Sequence, residues 1–151
     1  MLKLQVGDKV PTFKAKTQSG ENFKLLDYIG KPLVIYFYPK DNTPGCTLQA
    51  CSFRDQYQDF QDLGAEVIGI SGDSEESHDK FAKKHKLPFV LLSDFKKNIR
   101  NAFGVPSHLF GLLPGRVTYV INKEGIIVSI FNSINAASHI PTALKAIQKM
   151  K

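Results

Sequence analysis

Three short apolar segments separated by helical patterns constrain the fold of this chain most strongly. The segments 33–38, 65–70 and 89–92 (LVIYFY, AEVIGI and FVLL) are rich in the β-branched and aromatic residues of buried strands. Between them, apolar residues recur at helical spacing, and alternating strands and helices are typical of a sheet covered by helices. The sequence therefore predicts an α/β fold with a central sheet. The order of the strands in that sheet is not readable from the pattern.

The last third of the chain predicts a hairpin and a helix. The segments 116–121 and 126–131 flank the sequence NKEG, which indicates a tight turn between antiparallel strands. A final helix is indicated by its apolar stripe, at Ile140, Ala143, Leu144 and Ile147 with Pro141 in the first turn. An earlier helical face, ending at Gly104, consists of Phe95, Ile99, Ala102 and Phe103. Together these elements predict a mixed central sheet flanked by helices.

Composition argues against several classes of function. A chain of 151 residues with 42% hydrophobic content can form one globular domain, which we assign to residues 1–151. The net charge is +6, but the lysines are scattered, so we expect no binding to nucleic acid. We also expect no membrane association, because no apolar run approaches the roughly 20 residues of a span. The start MLKLQVGDKV lacks the apolar stretch of a signal peptide. We therefore expect a cytoplasmic protein, or one of another reducing compartment such as a plastid after removal of a transit peptide.

The only two cysteines, Cys46 and Cys51, stand five residues apart, too far for a redox C-x-x-C pair, and two cysteines are too few for a zinc site. Thr43 and Pro44 resemble an N-cap and a first helical residue, which places Cys46 in the first turn of a helix. The free N–H groups and the positive end of the helix dipole favour a thiolate there. The inward face of this helix continues through Ala50, Phe53, Tyr57 and Phe60 and ends at Gly64. The pattern alone leaves open whether Cys46 is reactive or a small buried apolar residue.

An intact helix would keep the two cysteines apart. Five residues along an α-helix correspond to a rise of about 7.5 Å, so the two Cα atoms would lie roughly 8–9 Å apart. This separation exceeds the limit of about 7 Å for a disulfide. A permanent bond between Cys46 and Cys51 is therefore not expected. A bond that forms after the first turns unwind stays open.

The segment YPKDNTPGCTLQAC resembles the active-site sequence of the peroxiredoxins, through the motif P-x-x-x-T-x-x-C at Pro39, Thr43 and Cys46. Its extended form is similar to the bacterioferritin comigratory protein, or peroxiredoxin Q, group, in which a second cysteine commonly follows five residues later. The stretches VGDKVPTF, EVIGISGDS, LPFVLLSD and GLLPGRVTYVINKEG extend the likeness over nearly the whole chain, the last of them with Arg116. The fold that this resemblance implies is thioredoxin-like.

The resemblance also implies an activity and the residues that perform it. It implies a thiol-dependent peroxidase in which Cys46 is oxidised by hydrogen peroxide or an organic hydroperoxide and Cys51 resolves the product as a disulfide. No cofactor or metal ion is implied; the implied partner is thioredoxin or a similar dithiol reductant, and the implied state is a monomer. The other residues of the implied pocket are Pro39, Thr43, Gly45 and Arg116. Without the resemblance, an arginine at the start of a strand would be interpreted as a surface charge.

Two other functions are consistent with the residues alone. One is a thiol–disulfide oxidoreductase acting on protein disulfides, although such enzymes use C-x-x-C; the other is a binding module with inert cysteines. The histidines give little support for a metal site, because His78, His85, His108 and His139 form no cluster with the cysteines. We expect His78 and His85 on a helix surface. The apolar run 109–113 could line the entrance for an apolar substrate, pack in the core or contact another subunit.

Overall fold

In the computed structural model of this protein, the described residues are 4–105, 107–108, 113–114, 116–133 and 135–150, with the two short pairs described by their backbone alone. The side chains of the apolar run 109–113 lie outside the described residues, so the role of that run stays a prediction. Among the helices of the described residues, none combines the length and the apolar composition needed to cross a bilayer.

The strands form one mixed sheet and a separate two-stranded ladder. In chain order they are β1 (Lys14–Thr17), β2 (Asn22–Lys24), β3 (Leu33–Phe37), β4 (Glu66–Ser71), β5 (Val90–Ser93), β6 (Ser107–His108), β7 (Leu113–Pro114), β8 (Val117–Ile121) and β9 (Ile127–Asn132). The sheet has the order β2-β1-β5-β4-β3-β8-β9, and β6 pairs with β7. The strands β3, β4 and β5 run parallel, and the remaining neighbours are antiparallel. The predicted mixed sheet is confirmed, and the β1–β2 hairpin is an addition to it.

Helices cover both faces of this sheet. They are α1 (Pro44–Asp55), α2 (Tyr57–Asp62), α3 (Glu75–His85), α4 (Asn98–Phe103) and α5 (His139–Gln148), with 3-10 turns at Leu25–Tyr28 and Ala136–Ser138. One apolar core contains residues of α1, α2, α3 and α5, including Cys46 and Phe53. The other contains residues of α4 and the first 3-10 turn, including Phe103. Side chains alternate along β3, so Tyr36 joins the first core and Phe37 the second.

The helix that the sequence predicts up to Gly64 is in fact two helices. Gln56, with φ of −107° and ψ of 11°, separates α1 from α2 and interrupts the predicted continuous face. The predicted end is confirmed: Gly64 has a φ of 77°, and the N–H groups of Gly64 and Ala65 donate to carbonyls of the last turn of α2. This Schellman arrangement requires the left-handed backbone that glycine adopts without strain.

The helical face predicted before Gly104 is only partly confirmed. Ile99 is buried in α4, but Phe95 precedes the helix and is 75% exposed, and Ala102 is exposed as well. The burial predicted for Phe95 and Ala102 is therefore wrong. For Phe95, the physical reason is the buried carboxylate of Asp94, which accepts two N–H groups of the first turn of α4 at 2.9 Å each. This bonding starts the helix after Phe95 and leaves the aromatic ring outside.

Candidate active site

The first turn of α1 places Cys46 inside the protein. Thr43 has extended backbone geometry, with φ of −81° and ψ of 151°, and its carbonyl accepts the N–H of Thr47 at 2.8 Å. Pro44 is the first helical residue, so Cys46 is the third, as the sequence predicts. Cys46 is 1% exposed and belongs to the apolar core beneath α1. The side chain is therefore almost completely shielded from solvent.

Arg116 contacts the sulfur of Cys46. The strands β3 and β8 are antiparallel with Phe37 opposite Val117, so residue 116 lies beside the end of β3 from which the chain enters α1. Nη2 of Arg116 donates to Sγ of Cys46 at 3.4 Å. Arg116 is only 8% exposed, so it is not the surface charge that its place at a strand start would indicate.

Gln49, which the sequence analysis did not single out, fixes the orientation of this guanidinium. Its Oε1 accepts a hydrogen bond from Nη1 of Arg116, and the side chain is fully buried. Gln49 follows Cys46 by three residues, and this spacing on an inward helix face was the signal that could have identified it. Gly45 leaves room for the arginine, because a Cβ at that position would lie 3.2 Å from Nη2.

Thr43 and Pro39 lie in the half-buried turn between β3 and α1. The hydroxyl of Thr43 does not cap the helix but donates to the carbonyl of Lys40 at 2.9 Å. Its oxygen therefore keeps lone pairs that can accept a hydrogen bond from a bound molecule. Pro39 has no N–H, so it adds no hydrogen-bond donor to this turn.

A buried hydrogen-bond network anchors the same turn. The carboxylate of Asp41 accepts the hydroxyl of Tyr38 at 2.6 Å and that of Ser77 at 2.8 Å. It also meets Nδ1 of His78 at 2.7 Å, while the Asp41 N–H donates to Asp73 at 2.8 Å. Burial, with the nearby Tyr36 and Asp41, raises the pKa of Tyr38 well above its usual value, so its hydroxyl stays a donor. The turn before α1 is thus tied to α3 and to the loop preceding α3.

The expected surface position of His78 is wrong, because this side chain is fully buried. Its Nε2 lies 3.0 Å from the carbonyl of Leu92, an acceptor, so Nε2 carries a proton. Its Nδ1 lies 2.7 Å from Oδ2 of Asp41, so hydrogen bonds hold both ring nitrogens. Asp41, Asp73 and His78 place ligand atoms within 4.8 Å of one another, as metal ligands do. Hydrogen bonds already engage both oxygens of Asp41 and Oδ2 of Asp73, so we assign the group to the anchoring network.

His139 supports the strand that carries Arg116. Its Nε2 donates to the carbonyl of Ser133 at 2.8 Å, and Nδ1 accepts the hydroxyl of Thr118 at 2.7 Å. The N–H of Ser133 in turn donates to the carbonyl of Arg116 at 3.3 Å. Burial lowers the pKa of His139, the Ser133 carbonyl opposes this shift, and the charge of Arg116 adds to it. A neutral His139 therefore holds β8 without adding a second cation behind the guanidinium.

Cys51 lies further along α1 and is half-buried. Both cysteines are free thiols and α1 is continuous between them, so the structure does not bring the two sulfur atoms together. Beneath α1, Tyr36 stacks on Phe53 with ring centroids 4.6 Å apart. The ring of Tyr36 lies across Gly69, where a Cβ would fall 2.8 Å from its Cζ atom.

The site can stabilise negative charge on a buried sulfur. None of the ion pairs within the described residues includes Arg116, so its charge is not neutralised by a carboxylate there. The first-turn N–H groups of Gly45 and Cys46 belong to the positive end of α1. A buried thiol beside an unneutralised guanidinium and a helix N-terminus is suited to nucleophilic attack by a thiolate on a small electrophile.

Sequence comparisons place this chain among known thiol enzymes. A profile of the AhpC/TSA family matches residues 6–130. The chain is 53% identical over 150 residues to chloroplastic peroxiredoxin Q of Sedum lineare, covering 99% of this chain and 81% of that protein. It is 51% identical over 149 residues to chloroplastic peroxiredoxin Q of Populus jackii, covering 98% of this chain and 70% of that protein.

Solved structures with the same fold are similar over almost the full length. The peroxidoxin BcpB of Mycobacterium tuberculosis superposes with a TM-score of 0.91 at 32% identity, covering 98% of this chain and 99% of that one. The bacterioferritin comigratory protein of Xanthomonas campestris, studied for its alkyl peroxide reduction activity, superposes with a TM-score of 0.85 at 32% identity, covering 91% of each chain. The thioredoxin-like fold implied by the family resemblance is therefore confirmed.

Proposed function

This chain belongs to the AhpC/TSA family, among its peroxiredoxin Q members, and on that premise we propose that Cys46 is its peroxidatic cysteine and Cys51 its resolving cysteine. Membership makes the protein a thiol-dependent peroxidase, and the alternative of an oxidoreductase acting on protein disulfides is not favoured. The observation that carries the assignment of Cys46 is the 3.4 Å contact between Nη2 of Arg116 and Sγ of Cys46. In this contact a buried thiol lies beside a cation, and that cation has no carboxylate partner among the described residues.

In the first step, the Cys46 thiolate attacks the terminal oxygen of a peroxide. A sulfur–oxygen bond forms, the oxygen–oxygen bond breaks, and one proton is taken up, giving a sulfenic acid and water or an alcohol. Arg116 donates to the sulfur and to the departing oxygen, and Thr43 accepts the peroxide O–H. The N–H groups of Gly45 and Cys46 supply further donors, and Pro39 helps to exclude water.

The arginine contributes more to this step than ionisation of a thiol can. An ordinary cysteine is about 3% thiolate at pH 7, so full ionisation raises the rate at most about 30-fold, or about 2 kcal/mol. Lower basicity also weakens the nucleophile and removes part of that gain. A preorganised donor aimed at developing charge is typically worth about 10²–10³ in rate. We therefore assign Arg116 the larger share of the acceleration.

In the second step, the Cys51 thiol attacks the sulfenic sulfur, a disulfide forms and water leaves. The intact α1 prevents this approach, so we propose that part of α1 unwinds and refolds after reduction. Gly45 lowers the helical propensity of the first turn, and a helix of 12 residues is marginal without its packing. The break at Gln56 allows α1 to unwind without α2.

We propose the remaining properties from the relatives. Hydrogen peroxide and organic hydroperoxides are the proposed substrates, and thioredoxin is the proposed form of the dithiol reductant. We also propose a monomer formed by one domain, residues 1–151. Its proposed location is the cytoplasm or a plastid, the latter in keeping with the chloroplastic relatives.

Cysteine variants test the residue roles. We expect Cys46→Ser to abolish peroxide consumption with either thioredoxin or dithiothreitol as donor. We expect Cys51→Ser to reduce one peroxide per molecule and then to stall with thioredoxin. Full thioredoxin-driven turnover by Cys51→Ser would contradict the resolving role, and turnover by Cys46→Ser would contradict the peroxidatic one.

Circular dichroism tests the unwinding step. The oxidised protein, with the Cys46–Cys51 bond verified by mass, should have fewer helical residues than the reduced protein. Cys51→Ser, which cannot form the bond, serves as the matched control and should keep its helix content after one equivalent of peroxide. Equal helix content in the oxidised and reduced wild type would contradict unwinding.

A further inference from the structure

A cleft lined by lysines lies at one edge of the central sheet. It has a volume of about 370 Å³, and its lining includes Lys14, Lys16, Lys96 and Phe95. Two acids also line it, the exposed Glu75 and the buried Asp94, whose carboxylate is bonded to N–H groups of α4. We call this surface the lysine cleft. Its three lysines are exposed, and none of them belongs to any ion pair within the described residues. The ring of Phe95 is 75% exposed beside them.

The stability of the fold does not account for the lysine cleft. Lys14 stands directly opposite Lys24 in the β1–β2 ladder, and like charges at such positions destabilise a sheet. The exposed Phe95 forgoes the free energy that its burial would give. Aromatic residues are enriched in protein–protein contacts, and charges of one sign select an oppositely charged partner and accelerate its association. These features are typical of a docking surface for an acidic protein.

The lysine cleft is at the same edge of the sheet as Cys46. The parallel strands β3, β4 and β5 end at one edge, where β3 leads to Cys46 and β5 leads to the segment 94–97. Neighbouring strands are about 4.8 Å apart, so β3 lies roughly 10 Å from β5 and roughly 14 Å from β1, which carries Lys14 and Lys16. A protein partner typically covers about 800 Å² on each side of an interface. A partner that reaches the cysteines would therefore also cover the lysine cleft.

The loop that presents Phe95 and Lys96 is held in place by hydrogen bonds. The N–H of Lys97 donates to the carbonyl of Asp94 at 2.9 Å, and the carboxylate of Asp94 accepts two N–H groups of α4. A surface fixed in this way loses little conformational entropy when a partner binds.

We propose that the lysine cleft docks the protein dithiol that reduces the Cys46–Cys51 disulfide, and that this reductant has an acidic face with an apolar spot for Phe95. The inference rests on the proposed function. In the reaction served, one reductant thiolate attacks a sulfur of the disulfide, forming a mixed disulfide and releasing one cysteine. The second reductant thiol then attacks the mixed disulfide and releases the other cysteine. Two electrons and two protons pass from the reductant to the pair.

Matched charge reversals test this docking surface. Lys16→Glu with Lys96→Glu reverses two charges in the cleft. Lys31→Glu with Lys123→Glu makes the same change in net charge at the opposite edge, since Lys31 precedes β3 and Lys123 lies in the turn between β8 and β9. Both control lysines are exposed. Phe95→Ala tests the apolar contact separately.

The measured quantity is the second-order rate of reduction of the peroxide-oxidised protein by a thioredoxin of net negative charge. Charge reversal in the cleft should slow this reduction about 10-fold or more at low ionic strength. Added salt should bring the reduction rates of the variant and the wild type closer together. The opposite-edge control should remain close to the wild type. Phe95→Ala should slow reduction by a factor that salt does not change. Reduction by dithiothreitol, which needs no docking surface, should be the same in all variants.

Several results would overturn the docking proposal. They are equal slowing by both double variants, no slowing by the cleft variant, and a wild type that dithiothreitol reduces but the acidic thioredoxin does not. Loss of nucleic-acid affinity in the cleft variant, with unchanged reduction by thioredoxin, would also overturn it. A wild type that consumes no peroxide even with dithiothreitol would instead contradict the proposed function.

Discussion

Replacing Arg116 by lysine tests whether the guanidinium acts through two separate nitrogens. Nη2 donates to Sγ of Cys46 at 3.4 Å, while Nη1 donates to Oε1 of Gln49. Lysine keeps the positive charge but carries it on a single Nζ at the end of a flexible chain. One ammonium cannot reproduce the planar geometry of both contacts, so Arg116→Lys loses at least one charge-assisted hydrogen bond.

The size of the effect follows from the bond that is lost. A hydrogen bond involving a charged group contributes about 1.5–3 kcal/mol, and each 1.36 kcal/mol corresponds to about a tenfold change in rate. We expect kcat/KM for peroxide to fall about 10- to 150-fold in Arg116→Lys. Arg116→Met also removes the charge, so its kcat/KM should fall further, toward the upper end of the factor of about 10²–10³ that one donor is worth.

The assay mixes pre-reduced protein with peroxide in a stopped-flow instrument and measures oxidation of Cys46 before any reductant is needed. Gln49→Leu is the matched partner variant, because it removes the orienting contact and keeps the arginine. If Arg116 and Gln49 act through one arrangement, the loss of kcat/KM in the variant carrying both Arg116→Lys and Gln49→Leu, expressed as a free energy, should be smaller than the sum of the two single losses. A kcat/KM for Arg116→Lys equal to that of the wild type would refute the two-nitrogen argument, since any nearby positive charge would then suffice.

Three further predictions concern stability. Gly69→Ala should lower the free energy of unfolding, measured by urea titration, by about 1–3 kcal/mol, because the added Cβ would collide with Tyr36. A variant as stable as the wild type would contradict this contact. Asp41→Ala should cost about 3–5 kcal/mol, because His78 would lose its buried partner; Asp41→Asn, which keeps the shape, should cost less. The lowered pKa of His139 means that the unfolded chain binds its proton more readily, so this contribution to stability is complete above pH about 6.5 and decreases as the pH falls below it. His139→Gln should reduce the loss of unfolding free energy below pH about 6.5. A pH dependence of stability equal to that of the wild type would refute the role given to His139.

Local patterns in the sequence were enough to predict the elements that position Cys46. The apolar run of β3, the Thr43–Pro44 pair at the start of α1 and the glycine after α2 all act within a few residues, and each corresponds to an observed element. The break at Gln56 was missed because the apolar spacing continues across it, with Phe53 and Phe60 both buried. Phe95 was misplaced because the cap from Asp94 decides where α4 begins.

The partners of the site residues could not be predicted from local spacing. Arg116 reaches Cys46 only through the register of β3 against β8, which joins positions 70 residues apart. His78 looks like a helix-surface residue until Asp41, 37 residues away, is seen beside it. In both cases the pairing depends on how the strands and helices are arranged around the sheet, so the spacing of the residues along the chain does not predict it.

The irregular residue between α1 and α2 divides the chain into regions that can open separately. Amide hydrogens on the two sides of Gln56 should exchange with deuterium at different free energies, because opening one side does not break the backbone ladder of the other. In the proposed cycle, Cys46 would then belong to a segment that opens while the sheet stays assembled. A catalytic cycle that opens only the turns of α1 before Phe53 would leave the stacked rings of Phe53 and Tyr36 buried, and so protected from aggregation, at each turnover.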